Sequence, residues 1–159
     1  MRRGEVTARK QSTRVPYSAA EMFALVADIE RYPEFLPWCV ALRVAERRRE
    51  DCLEHIVADM AVAYKVFRER FRSLVRLDHA SRTIDVEYLD GPFRTLANAW
   101  RFLDEPGGGS IVEFSIEFEF RNRLLQATAH SVFEKAFVKM SDAFVERAYK
   151  VYGNSSYPA

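Results

Sequence analysis

Between residues 111 and 120 the chain alternates: Val112, Phe114, Ile116, Phe118 and Phe120 are apolar, while Glu113, Ser115, Glu117 and Glu119 are polar. A period of two gives a strand one dry face and one wet face. The device recurs at Leu96, Trp100 and Phe102 and again at Ile84, Val86 and Tyr88, so the three dry faces are expected to line one core. The full set of predicted strands covers residues 6–15, 40–46, 53–62, 64–77, 83–89, 93–103 and 111–120. Turn signals divide them at Asp78-His79-Ala80-Ser81, Asp90-Gly91-Pro92 and Pro106-Gly107-Gly108-Gly109, which implies an antiparallel meander. From residue 123 to 151 the period becomes helical, with Leu125, Ala129, Phe133, Ala136, Phe137, Met140 and Phe144 on one face and Glu134, Lys135, Asp142 and Glu146 opposite. A one-faced helix that follows a one-faced sheet packs across it. The expected fold class is α+β, a curved antiparallel sheet of about seven strands gripping a long C-terminal helix.

Ser18 and Glu21 have capping-box spacing and start a helix that runs to about Asp28, with Tyr17 and Met22 positioned to close a hydrophobic staple. Pro33 and Pro37 then forbid a long regular element and brace a turn that carries Tyr32, Phe35, Leu36 and Trp38. Two readings of those four residues compete: a rim around the mouth of a ligand cavity, or a plug over the end of the sheet. On the long helix, Ala129, Ala136 and Ala143 recur every seven residues. Such a stripe either lets the helix approach the sheet closely or leaves room for an apolar ligand.

Composition narrows the class. With 159 residues and 48% apolar content the chain has enough material for one cored domain, expected over residues 1–152 with a flexible tail at 153–159. The formal charge of +1 provides no long-range field for nucleic acid, and DNA is not an expected partner. No apolar run is long enough to span a bilayer and the first residues lack a secretory core, so a cytoplasmic location is expected. Cys39 and Cys52 have neither paired nor metal-ligand spacing and read as idle thiols.

Several segments carry a family likeness: Val15-Pro16-Tyr17-Ser18, Tyr32-Pro33-Glu34-Phe35-Leu36-Pro37-Trp38-Cys39, Phe67-Arg68-Glu69-Arg70-Phe71, Gly91-Pro92-Phe93-Arg94, and Leu96 through Phe102. Together with the element order they resemble the START-like helix-grip superfamily, and within it the coenzyme Q-binding family and its close relative, the bacterial ribosome-association toxin. The resemblance implies two short helices after the first strand, a cavity between sheet and helix, and ubiquinone or another polyprenyl or lipid-like molecule as the bound ligand. It implies a quinone chaperone supporting respiratory electron transport or ubiquinone biosynthesis, with no catalytic residue and no required cofactor. Expected partners are the hydrophobic ligand and, transiently, the inner membrane, where the protein would be peripheral, or respiratory complexes. The toxin likeness keeps a second reading open, binding of the large ribosomal subunit. A third is the cyclase or dehydrase activity attached to the superfamily label, and the absence of a targeting extension fits a bacterial-type protein.

Candidate ligand contacts are the rim residues Tyr32, Phe35, Leu36 and Trp38, with Phe67, Phe71, Phe93, Phe133, Ala136 and Met140. Glu69 lies between two phenylalanines on one face, where it either meets a ligand carbonyl or an internal arginine, or turns outward at a bulge toward Arg68, Arg70 and Arg72. Asn98 either serves a quinone head group or satisfies neighbouring backbone, and Trp100 either stacks on a ring or fills the core. The arginines at positions 68, 70 and 72 and the run Arg47-Arg48-Arg49 could meet phosphates, but nearby Glu46, Glu50, Glu54 and Glu87 favour a solvated charged face. His55, His79 and His130 are scattered and form no catalytic motif.

Overall fold

A computed structural model describes residues 6–153; residues 154–159, most of the expected tail, lie outside the described part. Strand β1 (Thr7–Val15) leads into α1 (Ala19–Ala27) and a short 3-10 helix (Ile29–Glu34). Six strands follow: β2 (Cys39–Glu50), β3 (Leu53–Tyr64), β4 (Phe67–Asp78), β5 (Thr83–Asp90), β6 (Phe93–Asp104) and β7 (Ser110–Phe120), and α2 (Arg123–Tyr152) ends the fold. All seven strands form one antiparallel sheet in the order β1-β7-β6-β5-β4-β3-β2. Register shifts in β2, between Arg72 and Ser73, and between Phe93 and Thr95 add bend and twist. The concave face closes on α2, which is the expected helix grip.

Local chemistry fixes the ends of the elements. The capping box forms as its spacing predicts: Glu21 N–H donates to Ser18 Oγ at 3.0 Å, and Ser18 N–H donates to Glu21 Oε1 at 2.9 Å. The 3-10 helix accommodates Pro33 because it is short, and its C-terminal bonds converge on the Tyr32 carbonyl, from Phe35 N–H at 3.1 Å and Leu36 N–H at 2.8 Å. At the start of α2, Asn122 Oδ1 caps Leu125 N–H at 2.9 Å. The buried Gln126 accepts from Phe120 N–H at 2.8 Å and donates to Thr7 Oγ1 at 3.2 Å, joining the helix to the ends of β7 and β1. At the other end of α2, Tyr152 Oη donates to the Glu21 carbonyl and Tyr17 Oη to the Gly153 carbonyl, both at 2.7 Å.

Two boundaries depart from the sequence reading. Strand β2 continues through the charged run Arg47-Arg48-Arg49 to Glu50, because ladder pairing with β3 overrides the polar composition. Charge on that edge also discourages pairing with a foreign strand. Tyr64 ends β3 instead of opening β4, since a two-residue turn, Lys65-Val66, separates the two strands. That turn contains no glycine, asparagine or aspartate to announce it, and Lys65 adopts φ +57°.

Candidate functional site

Side chains on the concave face gather in two clusters. The larger lies beneath α1 and the C-terminal half of α2, and the smaller holds Phe67, Phe93, Phe118, Phe120 and Ala129. Between them lies a half-open cavity of about 230 Å³, lined by residues of both clusters, including Phe114 and Phe137 from the larger one. Its wall is almost wholly apolar and strongly aromatic. Phe93 stacks on Phe120 with centroids 4.5 Å apart and meets Phe71 edge-on at 5.5 Å, while Phe118 meets Phe133 at 5.3 Å. Gly91 allows this packing: a Cβ there would come within 2.6 Å of Phe71 Cβ.

The cavity wall brings together Trp38, Phe67, Glu69, Phe71, Phe93, Phe133, Ala136 and Met140 from the sequence-predicted set. The others lie elsewhere, each for a physical reason. Tyr32, Phe35 and Leu36 form no rim around this cavity. Leu36 is buried, Tyr32 Oη donates to the Val26 carbonyl at 2.5 Å, and both rings pack edge-on against Phe144. They plug the sheet end, leaving Trp38, edge-on to Tyr64 at 5.9 Å, as the residue of that turn that reaches the cavity. Asn98 spends its amide on its neighbours, donating to the Ser115 carbonyl at 2.9 Å and accepting from Trp100 Nε1 at 3.3 Å. Trp100 is buried against Phe102, Phe114 and Phe144, beside a gap of only about 30 Å³. That is room for about one water.

The alanine stripe divides between its two readings. Ala129 and Ala136 face the cavity, and Ala143 packs against the larger core cluster.

Two polar groups on this apolar wall have no partner among the described residues. The Tyr64 hydroxyl is buried without a hydrogen bond, and the half-buried Glu69 carboxylate forms neither a hydrogen bond nor an ion pair. Tyr64 pairs with Phe67 and Val62 with Glu69, so the phenol and carboxylate are diagonal neighbours on adjacent strands. Buried polar atoms are almost always satisfied, so an orphaned hydroxyl in a cavity wall fits a donor waiting for a ligand acceptor. Sequence reading missed Tyr64 because it misassigned the turn. It also missed Leu96, Phe114, Ile116, Phe118 and Phe120 as lining, although their alternation had already put them on the concave face.

Charges outside the cavity are mostly engaged with one another. Arg72 makes a bidentate pair with Asp59 at 2.8 and 3.0 Å, and Arg76 pairs with Glu87 at 2.5 Å. Glu54 is buried on the concave side between His79 Nε2 at 2.9 Å and Arg47 at 2.7 Å. Burial alone would raise its carboxyl, but the hydrogen bonds from His79 and Arg47 outweigh that and hold it below the usual carboxylate range. Burial pushes the Cys39 thiol up to about 11, so it remains protonated. His130 Nδ1 lies 2.9 Å from Thr7 Oγ1. Among the described residues no group of histidine, cysteine and carboxylate side chains is arranged to hold a metal, and no helix is long and apolar enough to cross a membrane.

Comparison with known proteins gives this geometry a family. A ribosome association toxin, RatA of Vibrio cholerae, is 34% identical across 90% of this chain and 96% of its own length. The mitochondrial coenzyme Q-binding protein COQ10 homolog B of Xenopus laevis is 28% identical, with the match covering 89% of this chain and 58% of that protein. The solution structure of the 18 kDa protein CC1736 from Caulobacter crescentus superposes with a TM-score of 0.79 at 36% identity, covering 92% of this chain and 98% of the other. The family model described as polyketide cyclase / dehydrase and lipid transport matches residues 15–145, and the chain belongs to that family.

Proposed function

We infer that the protein binds an apolar, lipid-like molecule with a polar head, ubiquinone or a similar polyprenyl compound, and shields or delivers it without bond chemistry. The observation that carries this reading is the aromatic cavity with an unpaired phenol and carboxylate in its wall. Tyr64 would donate to a ligand carbonyl, and the surrounding rings would pack against a flat head group. Glu69 would meet a ligand hydroxyl, as on a reduced quinone. At about 230 Å³ the cavity is smaller than the roughly 300–1,000 Å³ usual for an enclosed drug-sized ligand. It therefore suits a head group, the isoprenoid tail remaining outside. Burying apolar carbon is worth about 0.8 kcal/mol per methylene, so even partial enclosure supports a stable complex. The reading requires no cofactor, and its physiological setting would be respiratory electron transport or quinone biosynthesis.

The names of the relatives favour a second reading. Identity to the ribosome association toxin, at 34%, exceeds the 28% to the coenzyme Q-binding protein, and association with the large ribosomal subunit would use exposed cations instead of the cavity. Organic extraction of the purified protein followed by mass spectrometry, run beside ribosome cosedimentation at two salt concentrations, separates the two. A recovered quinone or polyprenyl lipid supports the cavity reading; an empty extract with salt-sensitive ribosome binding supports the other.

A further inference from the structure

The end of the molecule where β3 turns into β4, β5 into β6 and β7 into α2 contains features that fold stability does not explain. Val66, at the tip of the first turn, is 74% exposed, and Leu124, in the first turn of α2, is 78% exposed, the two most exposed large apolar residues described. Arg123 opens α2, whose first turn has no acidic residue, although the positive end of a helix dipole disfavours a cation there. Lys65, Arg68 and Arg123 have no acidic partner among the described residues. At the opposite end Arg82 pairs with Asp104, Arg14 with Glu105 and Arg47 with Glu54.

These turns adjoin one another and the cavity. Arg121 donates to the Gly91 carbonyl at 2.9 Å and its backbone N–H to the Pro92 carbonyl at 3.0 Å, joining two of them. Phe67, directly after Val66, stacks on Phe120 at 5.9 Å, and Tyr64, Phe67, Phe93 and Phe120 form this end of the cavity wall. Local choices that oppose stability and converge on one spot indicate function.

We propose that this end docks the protein on an anionic lipid surface, with Val66 and Leu124 entering the acyl boundary and Lys65, Arg68 and Arg123 facing lipid phosphates. The proposal rests on the cavity reading, because a tail too long for the cavity can remain in the bilayer while its head enters between Tyr64 and Phe67. The apolar tips favour membrane over RNA, since cations alone suffice for phosphate and projecting valine and leucine side chains add nothing to it.

Sedimentation with vesicles of phosphatidylcholine, with and without phosphatidylglycerol, tests this. Binding should need the anionic lipid and fall about fivefold for each of Lys65→Gln, Arg68→Gln and Arg123→Gln. Val66→Ser with Leu124→Ser should lower it by about tenfold. Nile red fluorescence in the cavity should be the same in all these variants and the parent, showing that they fold and that docking is separable from ligand uptake. No vesicle binding by the parent protein overturns the proposal, with Nile red uptake then leaving the cavity reading standing. Ribosome cosedimentation weakened by the charge variants but not by the serine variants, without vesicle binding, also overturns it and assigns the cations to RNA.

Discussion

On the proposed reading, ligand recognition turns most on the Tyr64 hydroxyl, which is buried beside the cavity without a hydrogen bond. Removing it should have effects of opposite sign in the free and bound protein. Tyr64→Phe should leave the ligand-free fold unchanged or stabilise it by about 1 kcal/mol, while weakening a carbonyl-bearing ligand about fivefold and a hydrocarbon of the same shape not at all. Thermal denaturation and ligand titration check the two halves. Glu54 is the contrasting case, a buried carboxylate fully engaged by His79 and Arg47. Its folded pKa is depressed from 4.5, so its contribution is present above that value and fades as pH falls through the folded one. Urea denaturation should find Glu54→Gln destabilised by about 1–2 kcal/mol at neutral pH, a deficit that closes in acid. Single residues were only partly legible in the sequence. Alternation placed Phe67, Glu69 and Phe71 together, but the Lys65-Val66 turn lacks the usual turn residues and hid Tyr64. For Asn98 the sequence left two uses open, a ligand head group or neighbouring backbone, and the structure has the second, with the Ser115 carbonyl across the strand pair as its acceptor.

At the scale of elements, period and caps carried most of the information. The period-two run in β7 and the helical period of α2 fall where the structure has them, because each buries one face and has no alternative register that keeps that face dry. The Ser18 capping box likewise follows from spacing alone, and Ser18→Ala should cost about 1 kcal/mol by chemical denaturation. The aromatic turn after α1 was harder to read. Prolines indicated that regular helix would stop, but only tertiary packing decides that Phe144 covers Tyr32 and Phe35 and leaves Trp38 at the cavity. For α2 the small residues have a defined consequence. Ala136→Trp should fill the cavity and reduce retained ligand at least tenfold in a protein that keeps its circular dichroism spectrum, because an indole fills most of the available space.

For the whole molecule, a curved sheet gripping a helix leaves a space that neither element would leave alone. The two core clusters meet imperfectly, and the seam between them is the cavity. The chain contains two tryptophans: Trp38 lines that seam and Trp100 is buried away from it. Trp100→Phe therefore makes Trp38 the sole indole reporter of ligand entry. Titrating this variant with a short-tailed ubiquinone should quench Trp38 emission saturably, and adding Ala136→Phe should abolish the saturable phase. Quenching that stays linear in quinone concentration, or is unaffected by the added phenylalanine, would contradict a ligand-binding cavity between sheet and helix.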